Sequence, residues 1–134
     1  MTEKIKKLKA IVSKGSEDYG AWFENLPGVY GAGESVKEAK KNLLEGLKIY
    51  IKNNDVAAWL RNKQYVIVYK YDGQSFLNYY KGIFTNAALE RITGINQRQI
   101  QHYATGTKKP RMEQLKKIEA AIHKLADELH AVEL

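Results

Sequence analysis

Strand-like runs of apolar residues in this chain end near Asp72–Ser75. Before that point, short runs, several alternating apolar and polar residues as a half-buried strand does, flank one stretch at helical spacing. After it, Gly82, Gly94 and Gly106 punctuate segments whose apolar residues recur at helical spacing, and strand signals vanish. The 134 residues suit one medium domain or two small ones. The expectation is therefore an α+β chain of two domains, 1–73 and 74–134, joined by a short linker.

In the first part, Ile5 to Val12 reads as a strand with Leu8, Ala10 and Val12 on one face and Lys7 and Lys9 on the other. Those lysines either mark a solvated edge or contact phosphate. Gly15-Ser16-Glu17-Asp18 is turn material. Tyr19 to Glu24 is a second strand, Asn25-Leu26-Pro27-Gly28 a turn, and Val29 to Gly33 a short third strand. Ser35 and Glu38 have the spacing of a capping box, so a helix is expected to start there. Its stripe is Val36, Ala39, Leu43, Leu47, Tyr50 and Ile51, and Asn53-Asn54-Asp55 weakens or ends it. Tyr65 to Tyr71 is a β-branched and aromatic run, which predicts a buried strand, closed by Asp72-Gly73. The order predicted is βββαβ, a small antiparallel sheet with one packed helix.

In the second part, Thr85 is a candidate cap for a helix carrying Ala88, Leu89 and Ile92. Gly94 allows a tight turn, Ile95 anchors it, and Asn96 caps the next helix. There Ile100, Tyr103 and Ala104 share one face. At about 100° per residue, Arg98, His102 and Thr105 point the opposite way, Gln101 lies on the flank and Gln97 at the amino-terminal tip. A basic loop follows, with Lys108, Lys109, Pro110 and Arg111.

This is the layout of a helix-turn-helix, whose second helix enters the major groove. Arg can fork onto guanine O6 and N7, and Gln can bridge adenine N6 and N7. Lys108, Lys109 and Arg111 would neutralise phosphates and set register. The competing reading is a polar face that is merely solvated, and an exposed His such as His102 is often incidental.

Net charge is +7, compatible with nucleic acid, an anionic membrane or an acidic partner. From Lys81 to Arg111 six basic residues stand against Glu90 alone; a second concentration is Lys4, Lys6, Lys7 and Lys9. No apolar run approaches the roughly 18 residues of a membrane span. The first residues lack the apolar core of a signal peptide. With no cysteine, disulfides and thiolate metal sites are excluded. A cytoplasmic protein is the expectation.

The segment "GINQRQIQHYATGTKKP" resembles the helix-turn-helix of the lambda-repressor-like (XRE) family, over roughly Thr85 to Ile122. The resemblance implies base reading at the positions of Gln97, Arg98 and His102. Glu90 departs from it, because the family often has a small Ala packed on the recognition helix; Ala88 is a nearby small residue. The first half, "DYGAWFENLPGVYGAGESVKEAKKNLLEGLKIYI", is similar to HicB antitoxins over about Ile5 to Ile51. The similarity rests on Gly20 and Trp22, Leu26-Pro27-Gly28, Gly33-Glu34-Ser35 and Glu38-Ala39. Phe23-Glu24-Asn25 stands where that family often has Phe-Pro-Asp. Each element also has a plain structural role: Gly28 in a turn, Ser35 and Glu38 in capping, Trp22 in the core.

The resemblance implies a partial RNase H-like fold that binds a small basic toxin of the HicA type, an mRNA-cleaving ribonuclease, while the helix-turn-helix represses the shared operon. Glu17, Asp18 and Glu24 could meet that toxin electrostatically, or be ordinary turn acids. The alternative is an orphan transcription regulator whose first domain senses a ligand or oligomerises. Nuclease chemistry needs clustered carboxylates around a divalent metal; the first strand has no acid and the others are scattered. No catalysis, cofactor or metal site is expected. Finally, Leu115, Ile118, Ile122, Leu125, Leu129 and Val132 alternate by three and four within Met112 to Leu134, a stretch free of Gly and Pro. One long helix of about 30 Å is expected. Leu125, Leu129 and Val132 would pair two copies, with a dimer of dimers if the sheet domain pairs as well.

Overall fold

A computed structural model of the chain describes residues 5–134. Lys4, one of the four lysines of the amino-terminal concentration, lies outside them. Among the described residues the protein is α+β, with a four-stranded mixed sheet and six helices. The chain divides after Ser75 into two compact units.

In the first unit the strands are β1 (Lys6–Lys14), β2 (Tyr19–Phe23), β3 (Leu26–Gly33) and β4 (Tyr65–Tyr71), with α1 (Val36–Asn53) and the short α2 (Ala58–Arg61) between β3 and β4. The sheet order is β3-β2-β1-β4. β1 pairs antiparallel with β2, which pairs antiparallel with β3, while β4 runs parallel to β1. The sheet is thus mixed, where an antiparallel one was expected. A helical crossover between β3 and β4 returns the chain in the direction of β1.

Register assigns the faces. Leu8, Ala10 and Val12 of β1 are opposite Ile67, Tyr69 and Tyr71 of β4, and all three are fully buried. With Ala21, Phe23 and Val29 they form the inner face. Helix α1 covers it with Val36, Ala39, Leu43 and Leu47, while Tyr50 and Ile51 at the end of the expected stripe are half-buried. Its amino terminus is fixed by Ser35 Oγ, which accepts from Glu38 N at 3.1 Å. The Glu38 carboxylate reaches back to Glu34 N at 3.3 Å, one residue earlier than a regular capping box. Truncating Leu43 to Ala would cost about 2–5 kcal/mol by the usual scale for buried leucines.

Four expectations are corrected. β1, whose lysines suggested an edge, is internal. β4, expected to be buried, is an edge strand with Val66 and Val68 exposed. Trp22, assigned to the core, is exposed because alternation sends Ala21 and Phe23 inward. Leu26-Pro27-Gly28 belongs to β3 rather than to a turn. Only Glu24 and Asn25 form that turn, and Pro27 is tolerated because β3 is an edge strand with no partner for its missing N–H. Asn25 acts as a strand extension, its side chain accepting from Lys9 N at 3.1 Å and donating to Lys7 O at 2.9 Å.

Asp72 closes the sheet. One carboxylate oxygen accepts from Lys14 N at 2.8 Å and Ser13 Oγ at 3.1 Å; the other accepts from Ser75 N at 2.7 Å, in the first turn of α3 (Gly73–Tyr79). Next to it, burial and then the Asp72 charge hold the Tyr19 phenol above its ordinary pKa.

The second unit holds α4 (Asn86–Thr93), α5 (Gln97–Thr105) and α6 (Met112–His130). Its core is Leu77, Leu89, Ile95, Ile100, Tyr103 and Ile118, flanked by Phe76, Phe84, Ile92 and Ala104. Helix α6 stops at His130, where a helix to Leu134 was expected; Val132 therefore lies beyond the helix, with Val132 N bonded to Leu129 O. No described helix is long and apolar enough to cross a membrane.

Candidate nucleic-acid interface

Local chemistry sets the approach of α4 to α5. Thr85 Oγ1 caps α4 by accepting from Ala88 N at 3.0 Å. Gly94 ends α4 in the left-handed region, φ 78°, and its N–H returns to Glu90 O at 2.8 Å. The Thr93 hydroxyl donates to Leu89 O at 2.6 Å and accepts from Ile95 N at 3.0 Å, fixing the turn that drives Ile95 into the core. Asn96 Oδ1 then accepts from Arg98 N at 2.8 Å and starts α5. Gly106, φ 82°, ends it.

This frame gives α5 two unlike sides. Ile100 and Tyr103 are buried, whereas Gln97, Arg98, Gln101 and Thr105 are exposed. Arg98, Gln97, His102 and Lys108 line one shallow concavity with Asn96 and Gln99. Lys108, Lys109 and Arg111 are exposed on the loop that follows, and Lys108 N is anchored to His102 O at 3.1 Å. His102 departs from the outward position expected for it. It is half-buried, and its Nδ1 is enclosed without a hydrogen-bond partner among the described residues.

Two residues outside the sequence-based site set the amides of the exposed glutamines. Glu90 Oε2 accepts from Gln97 Nε2 at 3.1 Å, and Asn86 Nδ2 donates to Gln101 Oε1 at 2.7 Å. Glu90 therefore ties α4 to α5 by a hydrogen bond where a small residue would make a packing contact. The family resemblance marked Glu90 as a departure; nothing in the sequence singled out Asn86.

The other sites are dispersed. Glu17 and Asp18 precede β2 and Glu24 follows it, so the three acids are not brought together. Glu24 forms an exposed ion pair with Lys9 at 3.4 Å. Among the described residues no group of three or more His, Asp or Glu has the geometry to hold a metal ion. Along α6 the apolar stripe emerges from the core. Ile118 is buried, Ile122 and Leu125 are half-buried, and Leu129 is exposed, as is Val132 beyond the helix.

The chain matches no protein-family model, no curated protein and no solved structure.

Proposed function

We propose that the second unit is a helix-turn-helix that reads duplex DNA through α5, and that the protein is an antitoxin of the HicB type that represses its own operon. The observation that carries the DNA reading is the division of α5. One side is locked into the core by Ile100 and Tyr103, and the other presents Gln97, Arg98 and Gln101 beside the cations Lys108, Lys109 and Arg111. Base-edge donors flanked by phosphate-neutralising cations are what groove recognition needs. Dimerisation through Leu125 and Leu129, with Val132 adjoining, would set two such helices on neighbouring half-sites.

The toxin-binding part rests on the residue resemblance of the first unit. The separation of Glu17 and Asp18 from Glu24 favours a second reading, an orphan DNA-binding regulator whose sheet unit serves another purpose.

Arg98→Ala is expected to lower operator affinity by about 1–3 kcal/mol per half-site. Lys109→Ala should weaken all duplexes alike and flatten the salt dependence. In cells, Arg98→Ala should derepress the operon while toxin resistance persists. Operator binding at full strength by folded Arg98→Ala protein would refute the assignment of this face. Failure of a basic neighbouring gene product to co-purify would select the orphan regulator. Ending the chain after Lys124 should halve the mass in solution; an unchanged mass would remove α6 from the interface.

A further inference from the structure

Helix α1 covers one face of the sheet. The other is open at Trp22, Tyr30, Val66 and Val68. Strand register sets four side chains in one row across this open face. Tyr30 of β3 is opposite Trp22 of β2, Trp22 is opposite Ile11 of β1, and Ile11 is opposite Lys70 of β4. Tyr30 is 61% exposed and Trp22 38%.

The Tyr30 ring leans along the sheet rather than standing off it. A Cβ on Gly20, two residues from Trp22 along β2, would lie 2.9 Å from Tyr30 Oη and 3.5 Å from Cε2 and Cζ. The absence of a side chain at Gly20 thus makes room for the ring. Gly20 in turn is opposite Ser13, so the Tyr30 and Ser13 hydroxyls occupy neighbouring strands of the same face. Ser13 Oγ donates to Asp72 and keeps acceptor capacity.

Charge selects the occupant. Alternation places Lys7, Lys9 and Lys70 on this face. Against them stand Glu24, paired with Lys9, and Asp72 at the strand end, whose oxygens are engaged by Ser13, Lys14 N and Ser75 N. A second copy or another basic protein docked here would add cations to a face that already carries more lysines than acids. Exposed aromatic rings on a sheet, with Lys70 in their row and Lys7 on the same face, suit bases that stack and phosphates that pair. The two hydroxyls suit a ribose 2′-OH.

We propose that the open sheet face binds single-stranded RNA, with bases stacked on Tyr30 and Trp22 and phosphates on Lys70 and Lys7. This site is separate from α5 and does not depend on the DNA reading.

The test uses the full chain carrying Trp59→Phe, which leaves Trp22 as the sole tryptophan. Titration with a twelve-residue oligouridylate should quench Trp22 emission. Affinity should fall with salt at a log–log slope of about −1.4 if two phosphates are neutralised. In anisotropy measurements with labelled RNA, Tyr30→Ala and Trp22→Leu should each weaken binding about tenfold. Arg98→Ala and Lys109→Ala should leave it unchanged. Tyr30→Phe should keep most of the affinity and narrow the preference over the deoxy oligomer. It and Lys70→Ala, which should weaken binding, serve as the variants if Tyr30→Ala does not fold. The proposal is overturned by no quenching at ordinary salt, or by equal affinity for RNA and the deoxy oligomer. Binding that follows Lys109 rather than Tyr30 and Lys70 also overturns it, as does a Trp22 signal that changes with protein concentration alone as the mass doubles.

Discussion

Glycine does different work in the two units. In the sheet unit, Gly31 lies beneath α1, and a Cβ there would strike Leu43 N and come within 2.6 Å of Ala39 O. Both obstacles are helix backbone, which cannot swing away as a side chain can. In the helical unit, a Cβ at Gly94 would meet nothing within 4 Å, but its φ of 78° is disfavoured for any side chain. The first glycine is required by what packs on it and the second by the direction of its own backbone. The sheet unit is held by close approach between elements distant in sequence; α5 is held by turns that neighbours make for one another.

Substitution separates these demands. Of the two glycine substitutions Gly31→Ala should be the more damaging, about 1–3 kcal/mol or more, because α1 must lift from the sheet. Both tryptophans, Trp22 and Trp59, lie in the sheet unit. Their emission in a urea titration should therefore lose its transition at lower urea, while the duplex-DNA binding proposed for α5 should persist at zero urea. Loss of DNA binding in proportion to the tryptophan transition would show that the units do not fold separately. Gly94→Ala should cost less, about 1–2 kcal/mol of backbone strain, with Gly94→Asn recovering part of it, since Asn tolerates the left-handed region. Equal stability of the Ala and Asn variants would mean that strain is not what this position resists.

The same contrast explains which features the sequence made legible. Thr85, Gly94, Asn96 and Gly106 act on residues within four positions, so α4, α5 and the turn between them could be placed from spacing alone. The α1 start at Ser35 and Glu38 was legible for the same reason. Strand order was not. Lys7 and Lys9 signal a solvated face, but a solvated face is compatible with an edge or an internal strand, because edges are defined by unpaired backbone groups. Pairing Lys6 with Tyr65 across the sheet is a choice no local residue encodes. β4 misled in the opposite sense, since Val66 and Val68 are apolar yet exposed. In the candidate site, Arg98 and Gln97 followed from helical phase. The partners of the glutamines, Asn86 and Glu90, lie on another helix and depend on how α4 crosses α5.

The smallest expected effect sharpens the comparison from the sheet side, where Asp72 joins β1 to the first turn of α3. Burial, and secondarily the Asp72 carboxylate, raise the Tyr19 pKa. A phenol whose folded pKa lies above its unfolded value favours the folded state while it is protonated. That contribution is complete below the ordinary phenol range and is lost as pH rises through the folded pKa. Tyr19 should therefore ionise later than an exposed tyrosine, and the sheet unit should lose stability in strongly alkaline solution. Asp72→Asn should bring the Tyr19 titration down only part of the way, because burial is the larger cause and survives the substitution. Carbon-13 NMR of labelled tyrosine rings, with Tyr19→Phe to assign the resonance among the nine tyrosines, follows this one group. An unchanged titration in Asp72→Asn would show that the carboxylate acts here only through its hydrogen bonds to Ser13, Lys14 and Ser75. A fall all the way to the ordinary value would show that burial of Tyr19 contributes nothing.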